Sequence, residues 1–344
     1  MRIFGRKKAS VINLALQGGG AHGAFTWGVL DALLEDGRIH FDGISGTSAG
    51  AMNAVVLAQG MQRAGRDGAR AALQAFWTAV AQLVPDALTH TPAGGQGAAY
   101  APMVKLMMQW TQYLTPQQLN PFDLDPLRDI VDAQIDFEQL RRGGSIKLFV
   151  ATTEVNTGKL RLFRNKELSS AVLLASACLP TLHRAIEIDG QPYWDGGYSA
   201  NPAVFPLFFE CKACDTLLVL LNPLRRQAGP ESAADIQARI AEIAFNSTFL
   251  REMRMFAHLR EHLPRSWLGR QMGTLERTVQ AKRFHLIEAG ELLGGLGTES
   301  KLVVQRRFFE QLMKQGREHG QAWLEQHFDA LGKRSTVDLD SLFY

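Results

Sequence analysis

RIHFDGISGTSAGAMNAVVLAQ, residues 38–59, runs from an apolar stretch through Gly46-Thr47-Ser48-Ala49-Gly50 into a run of small and aliphatic residues. The first part reads as a strand and the last as a helix able to pack closely on a sheet. Between them a serine stands two positions from a glycine on each side. Glycine permits the tight backbone that exposes a serine hydroxyl on a strand-to-helix turn, the arrangement of a nucleophile elbow. The Ala49 amide would head the following helix, where the backbone favours negative charge. A capping serine in a glycine-rich turn is the competing reading of the pentapeptide alone.

Upstream, SVINLALQGGGAHGAF (residues 10–25) repeats the pattern: a short apolar strand, a glycine-rich turn, then a helix over about 24–35 with Phe25, Val29, Leu30, Leu33 and Leu34 as its apolar residues. Two strand–turn–helix units in succession predict an α/β fold, a mainly parallel central sheet flanked by helices. The turn Gly18-Gly19-Gly20-Ala21-His22-Gly23 can gather several backbone N–H groups in one concavity, suited to an oxyanion or a phosphate. Gly18, Gly20 and Gly23 also fit G-x-G-x-x-G, with Asp42 near the place of a ribose-binding acid. A nucleotide- or phosphate-binding module is therefore a distinct alternative. A serine elbow in the next turn, which a nucleotide site does not require, argues against it.

Downstream, residues 61–145 read as mainly helical, broken by THTPAGGQGAAYAP and by a loop carrying NPFDLDP. SIKLFVATTEV and KLRLF form a strand and hairpin partner through Asn156-Thr157-Gly158, SAVLLASAC is a helix, AIEIDGQPYWDGG a pair of hairpin strands and DTLLVLLNP a buried strand. Beyond Pro223, Ile236, Ile240, Ile243, Phe249, Met253, Phe256, Leu259 and Leu263 fall near helical spacing. The expected organisation is an α/β unit over 10–224 and a helical region over 225–344.

With 344 residues, 46% hydrophobic and 21% charged, the chain has the composition of a globular protein with a sizeable core. A net charge of +3 gives no reason to expect nucleic acid. Residues 251–283 nevertheless carry eight Lys or Arg against three Glu, a net of +5 that would favour an anionic surface such as lipid head groups. A solvated helix face explains the same run. Three cysteines make no disulfide framework and suit a reducing compartment. The basic start MRIFGRKKASVINLAL has too short an apolar run for a secretory signal, and no segment approaches the ~18 apolar residues of a membrane span. The expectation is a cytoplasmic chain that meets lipid peripherally, although export without a cleaved signal would leave no trace in the sequence. Nothing in the sequence sets an oligomeric state.

A serine nucleophile needs a base. Ala51 removes the S-x-x-K option, and none of His22, His40, His90, His183, His258, His262, His285, His319 and His327 lies in a loop directly after a core strand. YWDGGYSANP instead places Asp195 after an apolar strand and before Gly196-Gly197. A carboxylate serves as general base if it lies within reach and burial raises its pKa. Asp-Gly is also a common turn pair, and on these residues alone the turn reading is the stronger.

GGGAHG, GTSAG and DGG in this order and spacing, together with ASACLP and DGGYSANP, resemble the patatin-like phospholipase family over residues 10–224. The resemblance implies a three-layer α/β sandwich and a lipid acyl hydrolase with a Ser-Asp dyad. It implies Ser48 as nucleophile, Asp195 as its base 147 positions later (195 − 48), and amides around Gly18, Gly19 and Gly20, with Ala49, as the oxyanion hole. Gly23, Gly46, Gly50, Gly196 and Gly197 support the motifs. The family pattern usually has Arg or Lys where His22 stands, and a histidine is mostly neutral at pH 7. That departure weakens the expected hold on a phosphate head group and admits a lysolipid or simpler ester. The implied function is cleavage of (phospho)lipid esters through an acyl-enzyme, phospholipase A or lysophospholipase in type, with no cofactor. A carboxylesterase acting on soluble esters or polyester oligomers is the alternative.

Three further motifs compete. HLREH (residues 258–262) matches H-x-x-E-H and puts His258 and His262 on one helix face, but without a third ligand it predicts no metal. CKAC (211–214) lacks a second Cys pair and reads as two buried thiols. MVKLMMQWTQYL (103–114) reads as a lid or interfacial helix, or as a core or subunit contact. Tyr193 and Trp194 line an acyl cleft or face the core.

Overall fold

The computed structural model describes residues 9–90, 97–101, 114–226, 229–263, 273–294, 296 and 298–343. The two opening units fold as read. β1 (Ser10–Leu16) leads through the glycine turn into α1 (Gly23–Asp36), and β2 (Ile39–Thr47) leads through Ser48 into α2 (Ala49–Ala81). α2 is kinked where Ala64 and Gly65 leave helical geometry, Gly65 with φ 63°. Past α2 the expected helical stretch also contains a short antiparallel pair, β3 (Thr89–His90) with β4 (Ala99–Tyr100), before short helices at Pro126–Gln134 and Phe137–Arg141. Apart from Leu114, the stretch 103–114 lies outside the described residues.

β5 (Lys147–Glu154) and β6 (Leu160–Arg164) form the expected hairpin, followed by α3 (Ser170–Ser176). β7 (Ile186–Ile188) and β8 (Gln191–Asp195) form the second, and β9 (Asp215–Leu220) is buried throughout. The region after 224 supplies α4 (Ala233–His262), α5 (Arg306–His327) and one strand absent from the sequence reading, β10 (Arg283–Glu288). The main sheet has the order β10-β9-β1-β2-β5-β8-β7, with β6 also on β5. Its first five strands run parallel and the rest antiparallel.

Side chains alternate between the sheet's two faces, and the core divides accordingly. Leu14, Leu16, Leu148, Val150, Leu217 and Val219 join the cluster built by α1, α2 and α5. Ala15, Phe149, Leu218, Leu220 and Phe284 join the opposite cluster, with Phe249, Met253 and Phe256 of α4. The result is the expected three-layer sandwich. α4 follows its apolar spacing only in part: Phe249, Met253 and Phe256 are buried, whereas Ile236, Ile240, Ile243 and Leu259 stay exposed.

The C-terminal region is fastened into these layers. α5 lies so close to α1 that a Cβ on Gly28 would collide with the Met313 carbonyl, and one on Gly316 with the Phe25 carbonyl. Arg70 of α2 and Arg317 of α5 both pair with Asp31 of α1. On β9, buried Asp215 accepts hydrogen bonds from Arg283 and pairs with His285 of β10.

Candidate active site

Strand register explains how residues 147 positions apart in sequence converge. β6 occupies one edge of β5 along Phe149–Thr153, so β2 and β8 share the other. β2 is parallel to β5 and ends with Thr47 opposite Ala151, while β8 is antiparallel and ends with Asp195 opposite Thr152. The two strand ends therefore meet at consecutive residues of β5, and Ser48 and Asp195 follow from that meeting. Both line one cavity of about 530 Å³.

Ser48 carries the backbone of an elbow, φ 54° and ψ −124°, a conformation unfavourable for a residue with a Cβ. The turn closes because Gly46 and Gly50 lack side chains: a Cβ on Gly46 would overlap Gly50, and one on Gly50 would strike the Leu16 carbonyl. Ser176 fixes the turn from the side. Its Oγ accepts the Ser48 amide at 2.9 Å and donates to the Ala151 carbonyl at 2.7 Å.

Asp195 is 2% exposed. Its amide donates to the Cys178 carbonyl at 2.8 Å, and its Oδ1 accepts the Gly197 amide at 2.7 Å. Burial pushes its pKa up to about 7, against hydrogen bonds from the Gly197 amide and the Ser48 side chain that favour the charged form. Gly196 and Gly197 sit against Ala151 and Phe245 with no space for a Cβ.

The glycine turn lines the cavity through Gly18, Gly19, Gly20 and Ala21 and winds into a short helical turn, Gly20–His22. Gly18 donates its amide to Asn201 Oδ1 at 2.7 Å, so this member of the expected oxyanion set is engaged by a side chain. Among the described residues no acceptor takes the amides of Gly19 or Gly20. Gly23 packs against Ala49 and Trp77, and its carbonyl accepts Asn53 Nδ2 at 3.0 Å. His22 faces inward, 1% exposed, with Nε2 2.8 Å from Ser300 Oγ. Burial, reinforced by the charge of Lys301, lowers its pKa to about 3, so the ring is neutral. Lys301 itself lines the cavity.

The other cavity walls are mostly apolar, with Met52, Trp77, Leu179, Leu182, Phe245 and Phe309 among them. Tyr193 belongs to the core, edge-on to Phe163, and it is Tyr198 that reaches the cavity. Asp42 accepts the Lys212 and Ala213 amides and so joins β2 to the approach of β9. Cys211 is buried and Cys214 half-buried, and both thiols are free. His258, Glu261 and His262 bring their ligand atoms within 4.8 Å of one another, exposed near the end of α4 and outside the cavity wall.

Sequence reasoning did not single out Ser176, Asn201, Asn222 or Lys301. Ser176 and Asn201 stood inside quoted motifs, but their hydrogen bonds span 128 and 183 positions and leave no local signal.

Residues 14–208, more than half of the 344, match the Patatin family, described as patatin-like phospholipase. The chain belongs to that family. Membership makes it a lipid acyl hydrolase at the family level. No curated protein matches it. Similar solved structures include VipD from Legionella pneumophila, at 17% identity over 90% of this chain and 67% of that one, with a TM-score of 0.37. Another is full-length ExoU in complex with SpcU, from the type III secretion system of Pseudomonas aeruginosa, at 15% identity and a TM-score of 0.29. It aligns over 72% of this chain, which spans 52% of the length of that one. Among the described residues no helix is long and apolar enough to cross a membrane.

Proposed function

We propose that the chain hydrolyses carboxylic esters of lipids through a Ser48–Asp195 dyad and an acyl-enzyme. The observation that carries this reading is the buried Asp195 carboxyl beside the Ser48 side chain, with its pKa raised to about 7. A carboxylate in water is too weak a base for a serine hydroxyl, and burial raises its basicity toward the working pH.

Asp195 takes the Ser48 proton as Oγ bonds to the ester carbonyl carbon, and the carbonyl π electrons move onto oxygen. The amides of Gly19, Gly20 and Ala49 face that oxyanion, which the N-terminus of α2 also favours. Collapse breaks the ester C–O bond, and the departing alkoxide takes the proton from Asp195. Water then repeats the sequence on the acyl-enzyme, releasing the fatty acid and restoring Ser48. The apolar wall accommodates an acyl chain, and burying each methylene is worth about 0.8 kcal/mol. We place the enzyme at lipid surfaces as a peripheral cytoplasmic protein, of phospholipase A or lysophospholipase type.

Hydrolysis of a chromogenic ester by Ser48→Ala and Asp195→Asn variants tests the dyad. Loss of activity in both supports it, and full activity in either refutes it. Strong activation by micelles separates a lipase from an esterase of soluble substrates.

A further inference from the structure

Among the described residues, the cavity that holds Ser48 and Asp195 has one lysine or arginine in its wall. Lys301, from the 3-10 turn Thr298–Leu302, lines it together with Asn222 and Glu242. The turn packs against the glycine loop so closely that a Cβ on Gly20 would collide with the Lys301 carbonyl. The His22–Ser300 hydrogen bond ties the same two turns together. Among the described residues Lys301 Nζ donates one hydrogen bond, to Asn222 Oδ1 at 2.6 Å, and no carboxylate forms an ion pair with it. Glu242, the acid beside it, is buried and paired with both Arg226 and Arg239. The Glu242 carboxylate is thus engaged by two arginines, and Lys301 is the cation that lines the cavity beside it. Burial lowers the Lys301 pKa, Glu242 opposes that shift and Arg226 adds to it. An ammonium has three donors, and one hydrogen bond at the wall of a largely apolar cavity leaves capacity for an acceptor that carries charge.

We infer that Lys301 binds the phosphodiester of a glycerophospholipid head group and so sets the enzyme's preference for phospholipids over neutral esters. The inference rests on the hydrolase reading above and names its substrate class. A glycerophospholipid carries its phosphate a few bonds from the ester carbonyls, and the glycine loop touches both residues: a Cβ on Gly18 would meet Ser48 and one on Gly20 would meet Lys301. An acyl carbonyl at Ser48 therefore leaves the phosphate beside the ammonium, with the acyl chain along the apolar wall. His22 is a positioning residue here: neutral and buried, it holds the turn that carries the cation.

The test compares kcat/KM for lysophosphatidylcholine with that for a monoacylglycerol of the same chain. Lys301→Met lowers the phospholipid-to-neutral ratio by about ten- to a hundredfold, the scale of one charge-assisted hydrogen bond, and Lys301→Arg keeps most of it. An unchanged ratio in Lys301→Met overturns the assignment. Should that variant fail to fold, Lys301→Gln, which keeps a partner for Asn222 without the charge, gives the same comparison. Calorimetry with sn-glycero-3-phosphocholine and with inorganic phosphate reads the site without turnover. Binding of the head-group analogue that weakens at least about tenfold in Lys301→Met supports the proposal, whereas binding of inorganic phosphate alone overturns it in favour of a free-anion site. A wild-type protein that hydrolyses neither lipid defeats the hydrolase reading, and calorimetry still decides the role of Lys301.

Discussion

Ser176 holds the backbone of Ser48: one hydroxyl accepts a hydrogen bond from the Ser48 amide at 2.9 Å and donates one to the Ala151 carbonyl at 2.7 Å. The elbow and β5 are thereby fixed to each other, and β5 is the strand that also sets Asp195. Ser176→Ala removes this tie while leaving both dyad side chains in place. The expected result is a fall in kcat of about ten- to a hundredfold, with KM changed less, because misplacing the nucleophile affects the transition state more than binding. Steady-state kinetics on a short chromogenic ester measure it, and an unchanged kcat would show that the elbow holds itself.

The pH dependence has opposite signs for activity and stability. Asp195 must be ionised to accept a proton, so kcat/KM rises with an apparent pKa of about 7 and levels off above it. For stability, the folded pKa lies above the unfolded value of 3.8, so between about 4 and 7 the folded state binds more protons. Stability is therefore highest at the acidic end of that window and falls as pH rises through the folded pKa. Glu252 of α4 adds to the same trend: burial raises it to about 7 although it accepts the Val204 and Phe205 amides. Asp195→Asn removes one contribution, giving an inactive protein that melts higher than wild type at pH 8 and by a clearly smaller margin at pH 5. Thermal melts at the two pH values check this, and an equal shift at both would contradict it.

The contact between α1 and α5 makes the C-terminal region part of the catalytic layers. Gly28→Ala forces a methyl group against the Met313 carbonyl, and overpacking of this kind costs about 1–3 kcal/mol. Urea unfolding followed by circular dichroism should show a lower midpoint in one cooperative transition. A normal midpoint would mean that α5 moves aside freely.

The fold was legible where local chemistry dictates it. Apolar alternation, glycine turns and the Asn156-Thr157-Gly158 hairpin revealed the main-sheet strands of the first 220 residues, though not the short β3–β4 pair, and the register that joins Ser48 to Asp195 follows from those main-sheet strands. β10 escaped notice because its first residue, Arg283, closes the basic run over 251–283, and the Asp215 that pairs with it lies across the sheet, 68 positions away. The serine was legible because a strained elbow demands glycines nearby. Asp195 was less so, since Asp-Gly-Gly serves a turn equally well and burial is invisible before folding. Lys301 had no local signal at all: what distinguishes it is the cavity into which residues 300–302 are folded, beside a histidine 279 positions earlier (301 − 22). His22 looked like a lost cation, whereas it is buried against Ser300, the neighbour of Lys301.

The most direct measurement of the dyad is mass spectrometry after reaction with a fluorophosphonate at pH 8. The account predicts a single adduct on the peptide carrying Ser48, none in Ser48→Ala, and labelling at least about a hundredfold slower in Asp195→Asn, which lacks the base. An adduct elsewhere, or labelling at the wild-type rate in Asp195→Asn, would contradict it.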